Sequence, residues 1–303
     1  MKVPYFIGFF LTAILCIQCS SDDATPSDPG DKNEEEVQEL NYRLSKIDLN
    51  HSADQPYYID DFEYIYDDSG KIINIRQWGR LFEVTYPNES LIQLKQIEDN
   101  VSNADLTALH EIHLKDNTVD YITQLTITKF NNGQTVSQSD SIKYSYTENR
   151  LIKVETFTND TNTKTVDLSY ENGNIKETIT TFNDRIITAR YEYDTKPKIT
   201  LSDAKFESPI FNISSLHYIL THDKLGVQSK NNLTSTRISY NYSLFAPGYE
   251  EINYKHVIDE KTGLLSVIEH SGRAKSDEEE AYPNYYPSRT FDDIKVSFEY
   301  ETY

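Results

Sequence analysis

The first side chains to weigh as catalysts or metal ligands are seven histidines, at positions 51, 110, 113, 217, 222, 256 and 270. Two of them flank a carboxylate in His110-Glu111-Ile112-His113. A zinc-binding helix needs His at i and i+4 so that both rings leave one helical face. Here the second His stands at i+3, in a segment that reads as strand, so the run lacks the spacing of a catalytic zinc site.

Carboxylates are the other candidates. Asp60-Asp61, Asp67-Asp68 and Asp292-Asp293 are adjacent pairs, and a glycosidase works through two carboxyl groups facing each other across a sugar. With 49 acidic residues in the chain, adjacency alone carries little, and Asp67-Asp68-Ser69-Gly70 has the composition of a turn. It also lacks the further oxygen ligands of a calcium loop. The acidic run Asp277-Glu278-Glu279-Glu280 leads into an aromatic one, in which Tyr282, Tyr285 and Tyr286 could stack on a sugar ring or receive a basic peptide. These three tyrosines are the candidate binding residues. There is no Gly-x-Ser-x-Gly elbow and no Gly-rich phosphate loop. The expectation is a protein that is not an enzyme and that uses neither cofactor nor metal.

The elements that would position these residues are strands. The chain of 303 residues holds 23 Tyr and 13 Phe against one Trp and one Met, a make-up suited to pleated sheets. In Phe62 to Ile75 the residues Phe62, Tyr64 and Tyr66 alternate with Glu63 and Ile65 at period two. Asp67 to Gly70 then turns the chain into Lys71 to Ile75, which makes a β-hairpin. The unit returns at Ile142 to Val154, at Val166 to Ile175 and from Tyr191, with 20 positions from Tyr66 to Tyr86, 24 from Tyr146 to Tyr170 and 23 from Tyr170 to Tyr193. That period is one hairpin of chain, so consecutive units lie side by side in an antiparallel meander. Leu106 and Leu109 stand at helical spacing behind Asn103, which predicts a short helix over 104–110. A second helix or covering loop is expected within 198–232.

A formal charge of −20 opposes binding to nucleic acid or to anionic lipid surfaces. At the N-terminus Lys2 precedes the apolar run Tyr5 to Ile17, too short to span a bilayer and suited to a signal-peptide core. The following Cys16-Ile17-Gln18-Cys19 resembles the cleavage site of bacterial lipoproteins in the loosened form of the Bacteroidota, which implies lipidation of Cys19. Ser20-Ser21-Asp22-Asp23 resembles the acidic signal that sends such lipoproteins to the cell surface. Residues 1–18 are then a signal peptide, 19–39 a lipidated Cys with a disordered acidic tether, and 40–303 one hairpin-repeat domain.

The Tyr-x-Tyr-Asp, polar turn, Gly-Lys-Ile form resembles the YD repeats of Rhs-type surface proteins. Tyr193-Asp194-Thr195-Lys196-Pro197, with Ser229-Lys230-Asn231-Asn232 ahead of Ile238 to Tyr242, is similar to a family of uncharacterised Bacteroidota lipoproteins. The resemblance implies a mainly β fold, a large antiparallel meander in a twisted or curled open sheet with at most one or two short helices, anchored to the outer membrane and exposed at the surface. Three functions remain open. The first is non-enzymatic binding of a protein or glycan, or a scaffold role. The second is a carrier that holds a lipid or other apolar ligand in a curled sheet, and the third a glycan hydrolase. An apolar, enclosed concave face favours the carrier. A flat face of tyrosines and acids favours the binder.

Overall fold

The structure, a computed structural model, describes residues 41–50, 61–77, 79–99, 105–130, 132–183, 185–201, 215–241, 248–276 and 289–303. Residues 1–40, with Cys19 and the expected tether, and residues 277–288, with Tyr282, Tyr285 and Tyr286, lie outside them.

Among the described residues sixteen strands follow one another. They are β1 (Tyr42–Asn50), β2 (Phe62–Tyr66), β3 (Ile72–Gln77), β4 (Arg80–Asn88), β5 (Leu91–Asp99), β6 (Asp105–Lys115), β7 (Thr118–Lys129) and β8 (Thr135–Thr147). Then come β9 (Arg150–Thr158), β10 (Thr161–Glu171), β11 (Asn174–Phe182), β12 (Arg185–Pro197), β13 (Asn231–Asn241), β14 (Gly248–Ile258), β15 (Leu265–Ser276) and β16 (Arg289–Thr302). A helix, α1 (Ser215–Thr221), and a 3₁₀ turn, His222–Lys224, fall between β12 and β13.

Every strand pairs antiparallel with its chain neighbours, as the repeat requires. The open sheet expected from the sequence is corrected at one seam: β1 pairs with β16 from Tyr42↔Thr302 to Asn50↔Lys295, and the meander closes into a barrel. Closure removes both edges, which a long sheet would otherwise present as unpaired backbone. The short helix expected over 104–110 is also corrected. Its helical leucine spacing is overridden because Asp105–Lys115 has strand partners on both sides, β5 and β7.

The tight turns explain why the meander is so regular. Asp116-Asn117, Glu148-Asn149, Asn159-Asp160 and Asn172-Gly173 each place two residues at positive φ between adjoining strands. Positive φ at both central positions is the primed hairpin turn whose twist matches that of the strands, and Asn, Asp and Gly tolerate it best. Asp67 makes the longer turn: its Oδ1 accepts from the Ser69 and Lys71 N–H groups and from Ser69 Oγ. The Asp67-Asp68 pair is thereby a turn.

Side chains alternate across the wall. Phe62, Tyr64, Ile75, Phe82, Val84, Leu94, Ile112, Tyr144, Val154, Ile238, Ile268 and Val296 point inward and are buried. Outward positions carry cross-strand ion pairs, Arg76–Glu63, Arg190–Glu177, Lys255–Glu269–Lys295, Arg237–Glu251–Arg273 and Arg43–Glu301. Individually such exposed pairs contribute little. They share the outer wall with exposed apolar side chains, among them Ile65, Ile73, Leu125, Ile152, Ile179 and Ile186. A Lys or Arg facing hydrocarbon at the midplane costs about 2 to 4 kcal/mol.

The repeated tyrosine also acquires a role. Tyr66, Tyr86, Tyr146 and Tyr170 each end an even-numbered strand, turn inward, and donate the hydroxyl to a backbone carbonyl of the preceding strand. The acceptors are Leu44, Ile72, Val119 and Leu151. Each tyrosine thus latches one strand to its neighbour at the same end of the barrel.

Candidate ligand-binding cavity

Sixteen strands enclose a lumen wider than wall side chains can fill. Between β12 and β13, the described residues Lys198 to Leu201 and Ser215 to Lys230 lie at one end of it, the end where β1 begins and β16 finishes. In α1 the residues Leu216 to Thr221 are all buried, so the short helix sits inside the wall as a plug. Thr221 Oγ1 donates back to the His217 carbonyl at 2.9 Å, and His222 Nδ1 lies 3.1 Å from the Ile219 carbonyl.

The plug is fastened on one side. Val227 N–H donates to the Asn149 carbonyl at 2.6 Å, and Gly226 pairs with Arg150 as an isolated bridge. Gly226 has φ +73°, and a Cβ there would stand 2.4 Å from the Asn149 carbonyl oxygen, so the close approach requires glycine. Asn174 Oδ1 accepts from the Lys230 and Asn231 N–H groups. Asn232 donates its Nδ2 to Asp194 and to the Pro197 carbonyl, and its Oδ1 accepts the Ile199 N–H at 2.7 Å. The two stretches singled out in the sequence, 193–197 and 229–232, are therefore the clamp that holds both ends of the insertion to the hairpins of β8 to β13.

Leaning on that side, the plug leaves a cavity of about 850 Å³ on the other. Its wall is the inward face of seven strands consecutive around the barrel, with Leu44, Tyr66, Ile72, Tyr86, Ile92, Leu265 and Tyr300 contributed by β1 to β5, β15 and β16. Ile199, Leu201, Ile219 and Leu220 line it from the plug. Because Tyr66 and Tyr86 spend their hydroxyls on backbone carbonyls, their rings face the space as apolar surface. Burial pushes both hydroxyls, and that of Tyr300, up to about 12, so all three stay neutral. At the mouth stand Lys71, Lys198, His222, Asp223 and Lys224.

Deeper, the plug meets the wall through two histidines. His110 Nδ1 on β6 lies 2.8 Å from His217 Nε2 on α1, and the Phe82 ring packs edge-on against His110. Burial lowers His110 to about 4 and holds His217 well below the ordinary range, with the neighbouring His110 adding to it. Both rings are thus neutral, and neutral imidazoles can share one N–H between them. His270 on β15 is likewise lowered to about 4 by burial and packs edge-on against Tyr254. Elsewhere the lumen has a polar stripe in which Thr178 shares a hydrogen bond with the Tyr191 hydroxyl at 2.9 Å, and Thr236 follows beside Tyr191 in the β12–β13 register.

The closed antiparallel barrel has a counterpart among solved structures. In three dimensions the chain is similar to a porin-like protein from Bacteroides vulgatus ATCC 8482, with a TM-score of 0.53 at 13% identity over 85% of this chain and 98% of the other. No protein-family model matches the sequence. No curated protein matches it either. At that identity the likeness concerns strand architecture alone.

The sequence-derived candidates are dispersed by this geometry. In His110-Glu111-Ile112-His113 the strand alternation turns His110 into the lumen and sends Glu111 and His113 outside, where their side chains approach to 3.5 Å and His113 stacks on Tyr121. The His-Glu-x-His run therefore cannot converge on one ion. Among the described residues the cavity lining has one carboxylate, Asp223, whereas sugar hydrolysis of the two-carboxylate type uses a facing pair. Among the described residues the tyrosines of the sheet point mostly inward, Tyr64, Tyr144, Tyr191 and Tyr254 being buried. What the sequence reading missed was the convergence of Lys71, Lys198 and Lys224 with seven strands' worth of apolar surface. The available signal was that Lys71 follows a hairpin tip, Lys198 opens the insertion between β12 and β13, and Lys224 closes the 3₁₀ turn within it.

Proposed function

We propose that this chain is a non-enzymatic binding barrel of the bacterial outer membrane, tethered through lipid on Cys19, that carries a small apolar or amphipathic molecule in its lumen. The observation that carries this reading is the cavity of about 850 Å³ between α1 and the inward face of β15, β16 and β1 to β5. Its size lies within the range of roughly 300 to 1,000 Å³ found for small-molecule sites, and its lining has the mainly apolar character of such sites. Of the functions open at the level of sequence, a mainly apolar concavity inside the wall favours the carrier.

The charged outer wall supports the anchoring half of the proposal, because a barrel that faces water on its outside reaches a membrane through an attached chain. That chain joins the barrel at Asn41, whose carbonyl accepts the Tyr303 N–H at 3.2 Å, on the same end as the cavity mouth.

The test is a titration of the chain from Ser20 onward with N-phenyl-1-naphthylamine, whose fluorescence rises in apolar surroundings. The barrel is a compact unit beginning at Leu40, so this form contains all of it. Saturable one-site enhancement is expected, and Leu220→Trp, which fills the cavity from the plug side, should abolish it. An unsaturable or absent signal, or one indifferent to Leu220→Trp, sinks the carrier reading.

A further inference from the structure

The seams of the wall are unequal where they approach the plug end. In β1–β2, β3–β4, β7–β8 and β9–β10 the pairing stops short of that end, and a tyrosine latch from Tyr66, Tyr86, Tyr146 or Tyr170 spans the remainder. Behind the latch the strands register at nine positions in β7–β8, at six in β9–β10 and at four in β3–β4. Behind Tyr66, among the described residues, they register at two, Lys46↔Glu63 and Ile47↔Phe62. A register shift between Leu44 and Lys46 marks a bulge in β1 where this ladder ends, and a bulge terminates pairing. Separating two strands costs their hydrogen bonds one after another, so the shortest ladder parts first.

Beyond Lys46↔Glu63 the two lips are held by side chains. Tyr66 donates its hydroxyl to the Leu44 carbonyl. The Arg43 guanidinium lies 4.4 Å from the centre of the Tyr66 ring and donates Nη1 to the Asp67 carbonyl at 3.5 Å. Arg43 is also paired with Glu301 on β16 at 2.7 Å, which ties this half of the clasp to the β1–β16 ladder. Tyr42 and Leu44 on one lip and Tyr66 on the other all line the cavity. Parting the lips therefore opens the cavity sideways, and the clamp at Asn149, Asn174 and Asn232, on strands remote from this seam, stays in place.

Resting on the carrier reading above, we propose that β1 and β2 form a lateral gate, through which the apolar molecule passes between wall strands into the cavity, with Tyr66 and Arg43 as its clasp. β1 stays with β16, to which it registers from Tyr42 to Asn50, and β2 moves with its hairpin partner β3. A gate of this kind sets the rates of entry and exit together. It leaves the affinity of the closed state unchanged.

The experiment uses the chain from Ser20 onward, which is free of cysteine because the two in the sequence stand at 16 and 19. Lys46→Cys/Glu63→Cys puts two thiols on directly paired positions of the outer face, in reach of a cross-strand disulfide. The staple clamps the last pair before the clasp, so the parting cannot spread. Oxidised, the variant should take up and release N-phenyl-1-naphthylamine at least about tenfold more slowly than after reduction with dithiothreitol, at an unchanged Kd. Equal rates in the two states overturn the gate and leave the carrier standing, with entry by the mouth beside the plug. Absence of probe binding in the unaltered protein removes the carrier and this inference with it. Hydrogen exchange of the unaltered protein supplies a readout that needs neither probe nor staple. It should be at least about tenfold faster over 42–47 and 62–66 than over 151–156 and 163–168. Equal protection of the two seams overturns the gate even where the disulfide fails to form.

Discussion

His110 and His217 face each other across the lumen, Nδ1 to Nε2 at 2.8 Å, one on the wall and the other on the plug. The contact exists only while at least one ring is neutral, because two imidazolium rings offer donors alone. Burial lowers His110 and His270 to about 4, whereas unfolded histidine titrates near 6.5. Between those values the unfolded chain binds more protons, so stability rises with pH. It is fully present above about pH 6.5 and is lost as pH falls toward 4, by about 3 kcal/mol for each of these two histidines. Urea unfolding at pH 7.5, 5.5 and 4.5 should follow this slope, and His270→Phe should flatten it. A stability independent of pH across that window would contradict the neutral, buried assignment.

The clamp residue Asn232 is buried and bonds to Asp194, Pro197 and Ile199 at once. Asn232→Ala leaves several of these partners unsatisfied, at roughly 1 to 3 kcal/mol for a buried polar group. The expected outcome is release of the insertion with the barrel still folded. Limited proteolysis should then cut within 198–230 far faster than in the unaltered protein, while far-ultraviolet circular dichroism stays that of a sheet. Cutting spread evenly along the chain would show instead that plug and barrel unfold together.

For the tyrosine latches, substitution by phenylalanine isolates the hydroxyl from the ring. Tyr146→Phe and Tyr170→Phe each forfeit a hydrogen bond to a backbone carbonyl, at 2.8 Å in both cases. Each should cost about 1 kcal/mol. Shifts in the urea midpoint measure this.

The outer ion pairs make a prediction about membranes. Added to planar bilayers, the protein should open no conductance steps, and Arg237→Leu or Lys255→Leu should leave that result unchanged. Discrete channel openings would mean that this wall tolerates lipid, against the cost of facing Arg237, Arg273 and Lys255 toward hydrocarbon.

Much of the wall was legible in the sequence. The alternation in Phe62 to Tyr66 and the Asn, Asp and Gly pairs at the turns are local signals, and they specify hairpins without help from the rest of the chain. The segment over 104–110 misled because Leu106 and Leu109 fit a helical spacing, and only the partners β5 and β7 decide for a strand. Closure was illegible for a different reason. Arg43 meets Glu301 across 258 positions, and whether sixteen strands curl far enough to bring them together depends on the accumulated twist of every pair between. The cavity inherits that difficulty, because residues from seven strands and an insertion line it and no two neighbours in sequence reveal it.

The seam between β1 and β16 also fixes the order in which the molecule can be finished. β1 is the first strand of the barrel to be synthesised, yet it registers with β2 at only two positions, Lys46↔Glu63 and Ile47↔Phe62. Its main partner is β16, the last strand of the barrel. Until β16 is made, the growing sheet keeps an open edge and an uncovered apolar face, the state most prone to aggregate. A product truncated before β16 can therefore be told from one with a closed wall by its exposed edge alone.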